Sequence, residues 1–263
     1  MTESNDFLWW KHGVIYQVYP RSFKDSTGNG IGDLQGIIDK LDYVAELGVD
    51  AIWVSPCYPS PMADFGYDVS DHCDIHPLFG TVQTMDALLQ AAHKRELRVM
   101  LDFVPSHTSE QHRWFRESRA ARSNPKRDWY TWRDAAPDGS PPNNWLSIFG
   151  GPAWEWDAQT RQYYLHTYLK EQPDLNWRNL AVKETMFSVV RFWLERGVDG
   201  FRVDAAHGFM KDPALRDNPP NRNNAATGCE SMGAYDSQLH INDRGHRDIH
   251  VVYRELRALL DEY

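Results

Sequence analysis

The feature that most constrains the fold is a repeated alternation of short apolar strands with amphipathic helices. The predicted strands, which are rich in β-branched or aromatic residues, are 14–19, 51–54, 98–104 and 200–204. Apolar side chains recur at helical spacing over 34–47, 85–92, 187–194 and 251–260. Nearly continuous apolar strands that alternate with helices are typical of a parallel sheet covered by helices. The sequence therefore predicts an α/β fold with about four parallel strands.

The connection after the third strand is much longer than the others. Residues 105–178 are rich in Pro, Gly, Asn and Trp and show little helical periodicity. Ordinary connections in α/β folds span about 2–6 residues, so this stretch predicts an inserted, irregular subdomain B. The expected parts are 1–104 with strands 1–3, the insertion at 105–178, and 179–263 with strand 4 and the loop and helix that follow.

Charge and hydropathy exclude several classes of partner. The chain has 28 basic and 37 acidic residues, a formal net charge of −9, whereas nucleic-acid binding depends on clustered Lys and Arg. The longest apolar runs are far shorter than the ~20 residues of a membrane helix. Three cysteines predict no disulfide framework, and the first residues lack the features of a signal peptide. We therefore expect a cytoplasmic protein with no nucleic-acid or membrane partner.

Aromatic residues make up 13% of the chain, and many lie in loop-like stretches. They could form a large aromatic core, or they could bind carbohydrate, because sugar rings pack their C–H faces on aromatic planes. Composition alone leaves both interpretations open.

Charged side chains follow two of the predicted strands. Asp102 lies near the end of the third strand, with His107 just beyond it, and Asp204 ends the fourth strand, two residues after Arg202. Residues at the carboxyl ends of parallel barrel strands meet around one opening, so we expect these four side chains to converge. The alternative for Asp204 is a buried ion pair that only fixes the sheet.

Four segments occur in a fixed order along the chain: Trp53–Asp68, Asp102–His107, Gln172–Asn176 and Gly200–Asp204. Together they resemble glycoside hydrolase family 13, the α-amylase superfamily, and within it the α-glucosidase and oligo-1,6-glucosidase branch. The resemblance implies the N-terminal half of a TIM (β/α)8 barrel, with strands 5–8 absent. A small oligosaccharide or disaccharide is then the expected partner, together with the missing C-terminal half of the barrel.

The chemistry implied by this resemblance is retaining hydrolysis of an α-glucosidic bond through a covalent glucosyl-Asp intermediate. Asp204 would be the nucleophile, and Arg202 would orient it and keep it charged. The substrate-binding residues implied in the same way are Asp64, Tyr67, Asp102, His107, Phe149, Tyr168 and Gln172. For the three aromatic side chains, plain packing is the alternative.

Two positions refine this expectation. Ala205, directly after the predicted nucleophile, is small, and in relatives a small residue there accompanies a preference for α-1,4 links. The favoured substrates are therefore maltose-like oligosaccharides or sucrose. Ser106 departs from the family, which usually has Asn before the His, so one local hydrogen bond is in doubt.

The loop 25–33 has the pattern of a cation site. Its candidate ligands are Asp25, Thr27, Asn29, the backbone carbonyl of Ile31, and Asp33, and oxygen ligands suit Ca²⁺ or Mg²⁺. Family members carry such an ion in this loop, so a structural metal is expected. The alternative is an Asx-rich turn in which Asp33 caps the next helix.

No acid/base residue is assigned in this chain. In the family a Glu at the end of the fifth strand supplies the proton, and no strand-like run follows Asp204. We therefore expect the isolated 263-residue chain to be inactive. The alternative functions are a transglucosylase or isomerase with the same intermediate, and a non-catalytic barrel scaffold. A nucleotide-binding protein is disfavoured because the Gly-rich phosphate motifs are absent.

Overall fold

The computed structural model describes residues 7–222 and 233–263. With elements numbered along the chain, its main sheet consists of β1 (Ile15–Val18), β2 (Ala51–Val54), β3 (Arg98–Phe103) and β7 (Gly200–Val203). The strand order is β1-β2-β3-β7, and every neighbouring pair is parallel. The predicted four-stranded parallel sheet is confirmed, with strand ends within one residue of the predicted ones.

The helices that the periodicity predicts are present, and others accompany them. They are α1 (Trp9–His12), α2 (Pro20–Phe23), α3 (Leu34–Asp39), α4 (Leu41–Glu46), α5 (Val82–His93), α6 (Arg113–Ala120), α7 (Leu180–Leu194) and α8 (Ile249–Leu260). In α5, the four buried residues are Met85, Leu88, Leu89 and Ala92. They are the apolar positions that the spacing selects.

The first predicted helix is divided into α3 and α4. The division falls at Lys40, whose backbone leaves helical geometry at φ −111° and ψ 6°. Leu34 and Ile37 before it and Leu41 and Val44 after it are all fully buried. The apolar periodicity therefore continues across the break and gives no signal of it.

The insertion contains regular structure that the prediction of an irregular subdomain omitted. Strands β4 (Trp132–Arg133), β5 (Trp154–Asp157) and β6 (Gln162–Leu165) form an antiparallel sheet in the order β4-β6-β5. Helix α6 precedes this sheet. These strands have two to four residues, which is too short for alternation to be recognised against the surrounding loops.

Aromatic packing supplies much of the insertion's core. The Phe115 ring stacks on Trp132 with 5.6 Å between centroids and 6° between planes. Tyr130 and Tyr164 present their rings edge-on to Phe115 at 4.9 and 5.2 Å. All four side chains are buried, so the core interpretation of the aromatic content holds for them.

Two compact units divide the described residues. The first contains the described residues up to Pro59, His72–Phe103 and Val189–Val203, and the second contains Ser60–Asp71, Val104–Ser188 and the described part of Asp204–Tyr263. The predicted boundary at 104/105 lies close to one of these divisions. The segment after β7, which was expected with strand 4, is grouped with the insertion in the second unit, where Phe209 packs on Trp177 at 4.7 Å between ring centroids.

Two further predictions concern membranes and disulfides. No helix in 7–222 or 233–263 is both long and apolar enough to cross a membrane. Neither Cys57 nor Cys73 is in a disulfide bond, and Cys229 lies outside the described residues. The cytoplasmic location stays a prediction.

Candidate active site

Asp102 and Arg202 lie side by side in the first unit. The register of β3 and β7 pairs these two residues, and Arg202 Nη1 donates to Asp102 Oδ1 at 2.8 Å. Asp102 is 1% exposed, and a buried carboxylate requires such a partner. An ion pair within the sheet is therefore present at Asp102. That Asp102 contacts a sugar, and that Arg202 orients Asp204 and keeps it charged, stay predictions.

Two aromatic residues that the sequence analysis missed complete the surroundings of Asp102. Trp53 Nε1 donates to Asp102 Oδ2 at 2.6 Å, and the Tyr58 hydroxyl donates to the Asp102 carbonyl at 2.6 Å. The Arg202 guanidinium lies 5.0 Å from the centroid of the Trp53 ring. Trp53 begins the family-like segment Trp53–Asp68, and Tyr58 lies within it. The resemblance could therefore have indicated both residues.

In the second unit, a buried carboxylate shapes the loop that carries Asp64 and Tyr67. Asp68 is fully buried and accepts hydrogen bonds from Ser60 Oγ at 2.8 Å and from the N–H groups of Ala63 and Asp64 at 3.0 Å. The Tyr67 N–H donates to the Asp64 carbonyl at 3.0 Å, which closes a turn between the two predicted site residues. Asp68 had no predicted role.

Gln172 joins two of the other predicted binding residues. Its side chain is fully buried, and its Nε2 donates to Asp64 Oδ2 at 2.8 Å. The same nitrogen lies 3.0 Å from His107 Nε2, while the Gln172 Oε1 accepts the Leu169 N–H at 3.0 Å. The amide therefore holds Asp64 and His107 in a fixed relation to each other.

His107 is 1% exposed, and each ring nitrogen has a near neighbour. Nε2 lies 3.1 Å from the Tyr67 carbonyl oxygen, and Nδ1 lies 2.6 Å from Ser106 Oγ. The departure from Asn to Ser at position 106 therefore leaves the ring with a local hydrogen bond. Burial lowers the pKa of His107, although the negative charges of Asp174 and Asp204 act in the opposite direction.

Two aromatic side chains extend this group. The Tyr168 ring centroid lies 5.2 Å from that of His107 and 5.7 Å from that of Phe149. Phe149 is 55% exposed, which leaves its ring available to a ligand. We call the following residues of the second unit the pocket cluster: Asp64, Tyr67, His107, Phe149, Tyr168 and Gln172.

Asp204 directly follows β7 and lies within electrostatic reach of the pocket cluster. Burial raises the pKa of Asp64, and the Asp204 charge adds to this rise. Burial likewise raises the pKa of Tyr168, again with a contribution from Asp204. The next residue, Ala205, has φ +49°, a left-handed conformation that costs a residue with a Cβ about 1–2 kcal/mol. Backbone strain of this kind is concentrated at functional sites.

In the first unit, the loop 25–33 is organised by its own acidic side chains. Asp25 Oδ1 accepts the N–H groups of Thr27 and Gly28 at 2.8 and 2.7 Å, and its Oδ2 accepts that of Gly30 at 2.7 Å. These bonds, led by that from Gly30, lower the pKa of Asp25 to about 2.

The end of this loop caps the following helix. Asp33 Oδ1 accepts the Gly36 N–H at 2.7 Å, which is the predicted N-cap, and Asn29 Oδ1 accepts the Ile31 N–H at 2.8 Å. The Asx-turn interpretation describes all of these contacts. Within the described ranges, no group of three or more His, Cys, Asp or Glu side chains could hold a metal. The candidate ligands of this loop also include amide, hydroxyl and carbonyl oxygens, which do not belong to those four residue types. The cation site therefore stays a prediction.

A further ion pair in the second unit was not predicted. Lys211 Nζ lies 2.8 Å from Asp174 Oδ2, with both side chains buried. Asp174 is in the family-like segment Gln172–Asn176, which was a signal. Lys211 lies in a polar stretch, where no sequence pattern indicates burial.

This chain is similar to known proteins over most of its length. The family model of the α-amylase catalytic domain matches residues 17–261. A probable α-glucosidase of Rhizobium meliloti (strain 1021) is 55% identical over 97% of this chain and 47% of its own length. An oligo-1,6-glucosidase of Heyndrickxia coagulans is 53% identical over 77% of this chain and 37% of its own length.

Solved structures of two enzymes are also similar to this chain. The α-glucosyl transfer enzyme XgtA superimposes with a TM-score of 0.94 at 54% identity, over 97% of this chain and 48% of XgtA. The trehalulose synthase MutB of Pseudomonas mesoacidophila MX-45, in a mutant form complexed with its substrate sucrose, gives a TM-score of 0.85 at 44% identity, over 97% of this chain and 43% of MutB. The chain spans about half the length of the relatives it matches or less. It belongs to the α-amylase catalytic-domain family of glycoside hydrolases.

Proposed function

We propose that this chain carries the nucleophile of a retaining α-glucosidase. Asp204 attacks the anomeric carbon of a glucosyl unit, the glycosidic bond breaks, and a covalent glucosyl-Asp intermediate forms that water later resolves. The observation that carries the proposal is the place of Asp204: it directly follows β7 and precedes the left-handed Ala205, in the same compact unit as the pocket cluster. The names of the relatives support the same reaction class.

The pocket cluster has the groups that a glucosyl unit requires. Asp64, which is partly exposed, offers carboxylate oxygens for sugar hydroxyls, and the buried amide of Gln172 fixes Asp64 and His107 in place. The Phe149 and Tyr168 rings offer apolar planes for the C–H face of the sugar. The proposed substrates are maltose-like oligosaccharides or sucrose, with α-1,4 links favoured by the small Ala205.

A transglucosylase or isomerase is the second candidate. Such an enzyme forms the same intermediate but resolves it with a sugar or another hydroxyl compound instead of water. The similarity to XgtA and MutB favours this alternative. Product analysis with sucrose distinguishes the two functions, because hydrolysis releases glucose and fructose, whereas transfer or isomerisation leaves the glucosyl unit joined to a sugar or another hydroxyl compound.

We also propose that the loop 25–33 binds Ca²⁺ or Mg²⁺. The bound ion would neutralise the negative charge of the loop and support its fold. Asp25, Thr27, Asn29, Asp33 and the Ile31 carbonyl are the residues that would hold it. Calorimetric titration with each cation tests the site, and Asp25→Asn should weaken binding at least tenfold. Equal binding by the wild type and D25N would refute the proposal.

The nucleophile is tested by covalent trapping with 5-fluoro-α-D-glucosyl fluoride. Fluoride leaves without a proton donor, so the C1–F bond breaks as the Asp204 oxygen bonds to C1, and the ring fluorine slows the hydrolysis of the adduct. Two proteins are treated: the 263-residue chain, and the same chain joined to the part of the Rhizobium meliloti relative that it does not cover. We call the second one the joined protein.

The expected result is one fluoroglucosyl adduct, which peptide mapping places at Asp204 and which Asp204→Asn abolishes. Asp199→Asn is a matched control, since that carboxylate bonds to His93 and to the Val99 N–H in the first unit. An adduct at another residue, or no adduct in either protein, would refute the proposal.

A further inference from the structure

A lysine that follows Asp204 closely in the sequence has a buried side chain. Lys211 follows Asp204 by seven residues and is 9% exposed. Its Nζ donates to the Gly208 carbonyl at 2.8 Å and lies 2.8 Å from Asp174 Oδ2. A lysine is almost never buried unless its charge is paired, so these two contacts determine where the ammonium lies.

Gly208 belongs to the turn that directly follows Asp204. Its N–H donates to the Ala205 carbonyl at 2.7 Å and closes the turn. Ala205 is in the left-handed region at φ +49°, a conformation that persists only where the surrounding structure holds it. The bond from the Lys211 ammonium to the Gly208 carbonyl is one such restraint.

Asp174, at the other end of the ion pair, is fixed to the segment that carries the pocket cluster. It is fully buried, and it accepts the Thr167 N–H at 3.0 Å and the Thr167 hydroxyl at 2.6 Å. Its backbone forms an isolated antiparallel bridge with His107, and Gln172 lies two residues before it. Lys211 therefore joins the turn after Asp204 to the segment that holds His107 and Gln172.

We propose that Lys211 is a positioning residue for Asp204: its ammonium, anchored by Asp174, fixes the turn after Asp204 relative to the pocket cluster. This inference rests on the proposed function. Misplacement of a reacting group by about 1 Å can cost ~10²-fold in rate. The expected effect of losing Lys211 is therefore on the rate of attack by Asp204, with little effect on sugar affinity.

The test uses Lys211→Met, which removes the charge, and Lys211→Arg, which keeps it. The measurements use whichever protein forms the adduct, the 263-residue chain or the joined protein. The rate constant for adduct formation at Asp204 and the dissociation constant of 5-fluoro-α-D-glucosyl fluoride (the trap) are measured separately. We expect K211M to slow trapping at least tenfold while the dissociation constant changes less than about threefold, as expected of misplacement without loss of binding. K211R should recover part of the rate. In the 263-residue chain itself, K211M should speed hydrogen exchange of the Gly208 N–H.

Arg119→Met is the matched control. Arg119 also pairs with a fully buried carboxylate, that of Asp157, at 2.8 Å in the same unit, and this carboxylate also accepts a threonine hydroxyl. R119M should lower the melting temperature while leaving trapping and exchange at Gly208 unchanged. A purely structural role for Lys211 would make K211M behave like R119M.

The outcomes separate this inference from the proposed function. If folded K211M forms the adduct at the wild-type rate, the inference alone is overturned. The same holds if R119M slows adduct formation as much as K211M does. If K211M does not fold, Asp174→Asn removes the anchoring charge, and wild-type trapping by D174N overturns the inference. Failure of wild-type trapping overturns both proposals.

Discussion

At the scale of single residues, one amide organises the pocket cluster. Gln172 is fully buried, and its Nε2 contacts Asp64 Oδ2 and His107 Nε2 at 2.8 and 3.0 Å. A buried polar group that loses its partner carries its full desolvation cost. The positions of Asp64 and His107 therefore depend on Gln172.

Gln172→Met should weaken binding of the fluoroglucosyl trap by about 10–100-fold, which corresponds to the ~1–3 kcal/mol of an unsatisfied buried group. The dissociation constant of the trap is the measurement. Gln159→Met is the control, since Gln159 is exposed and its Nε2 donates to the Ala120 carbonyl. Equal affinity of Q172M and the wild type would contradict this account.

The buried His107 predicts a pH dependence of stability. Burial places the pKa of His107 in the folded protein below the ordinary value of 6.5, so the unfolded chain binds the proton more readily. Stability should therefore fall as the pH decreases from about 6.5 towards the folded pKa. Denaturant unfolding from pH 7.5 to 5 should show a smaller loss for His107→Gln than for the wild type. His207, whose pKa is also lowered by burial, is present in both proteins and cancels in the comparison.

At the scale of elements, α3 approaches the preceding loop so closely that only glycine fits at one position. A Cβ at Gly36 would lie 1.9 Å from the Lys24 carbonyl oxygen. The same turn is capped by Asp33, whose Oδ1 accepts the Gly36 N–H. The cap and the close approach together fix where α3 begins relative to the loop 25–33.

Gly36→Ala should destabilise the protein by about 1–3 kcal/mol, because the added methyl group forces a backbone shift. Thermal or urea unfolding measures the effect. Gln35→Ala, at an exposed position of the same helix, should stay within about 0.5 kcal/mol of the wild type. A G36A protein as stable as Q35A would show that the close approach relaxes at little cost.

At the scale of the whole molecule, the described residues form two compact units. Asp102 and Arg202 belong to the first unit, while Asp204 and the pocket cluster belong to the second. The chain matches less than half of the length of the Rhizobium meliloti relative. The family resemblance assigns the proton donor to a strand beyond the four of the main sheet.

The isolated 263-residue chain should therefore hydrolyse a nitrophenyl α-glucoside no faster than background, because no proton donor is assigned among its residues. The joined protein should hydrolyse it, and Asp204→Asn should abolish that activity. Release of nitrophenol, followed by absorbance, is the measurement. Turnover by the isolated chain that disappears in its D204N variant would show that the chain supplies its own acid.

The sequence by itself determined the parallel sheet, most of its helices and the family, because these depend on local periodicity and on contiguous motifs such as Gly200–Asp204. The start of α3 at Asp33 was likewise readable, since a cap acts within one turn of helix. Only the tertiary structure decided that Asp102 pairs with Arg202, that Gln172 joins Asp64 to His107, and that Lys211 is buried against Asp174. Each of those contacts joins side chains 37 to 108 residues apart. Their geometry depends on how distant segments pack, and no local pattern records it.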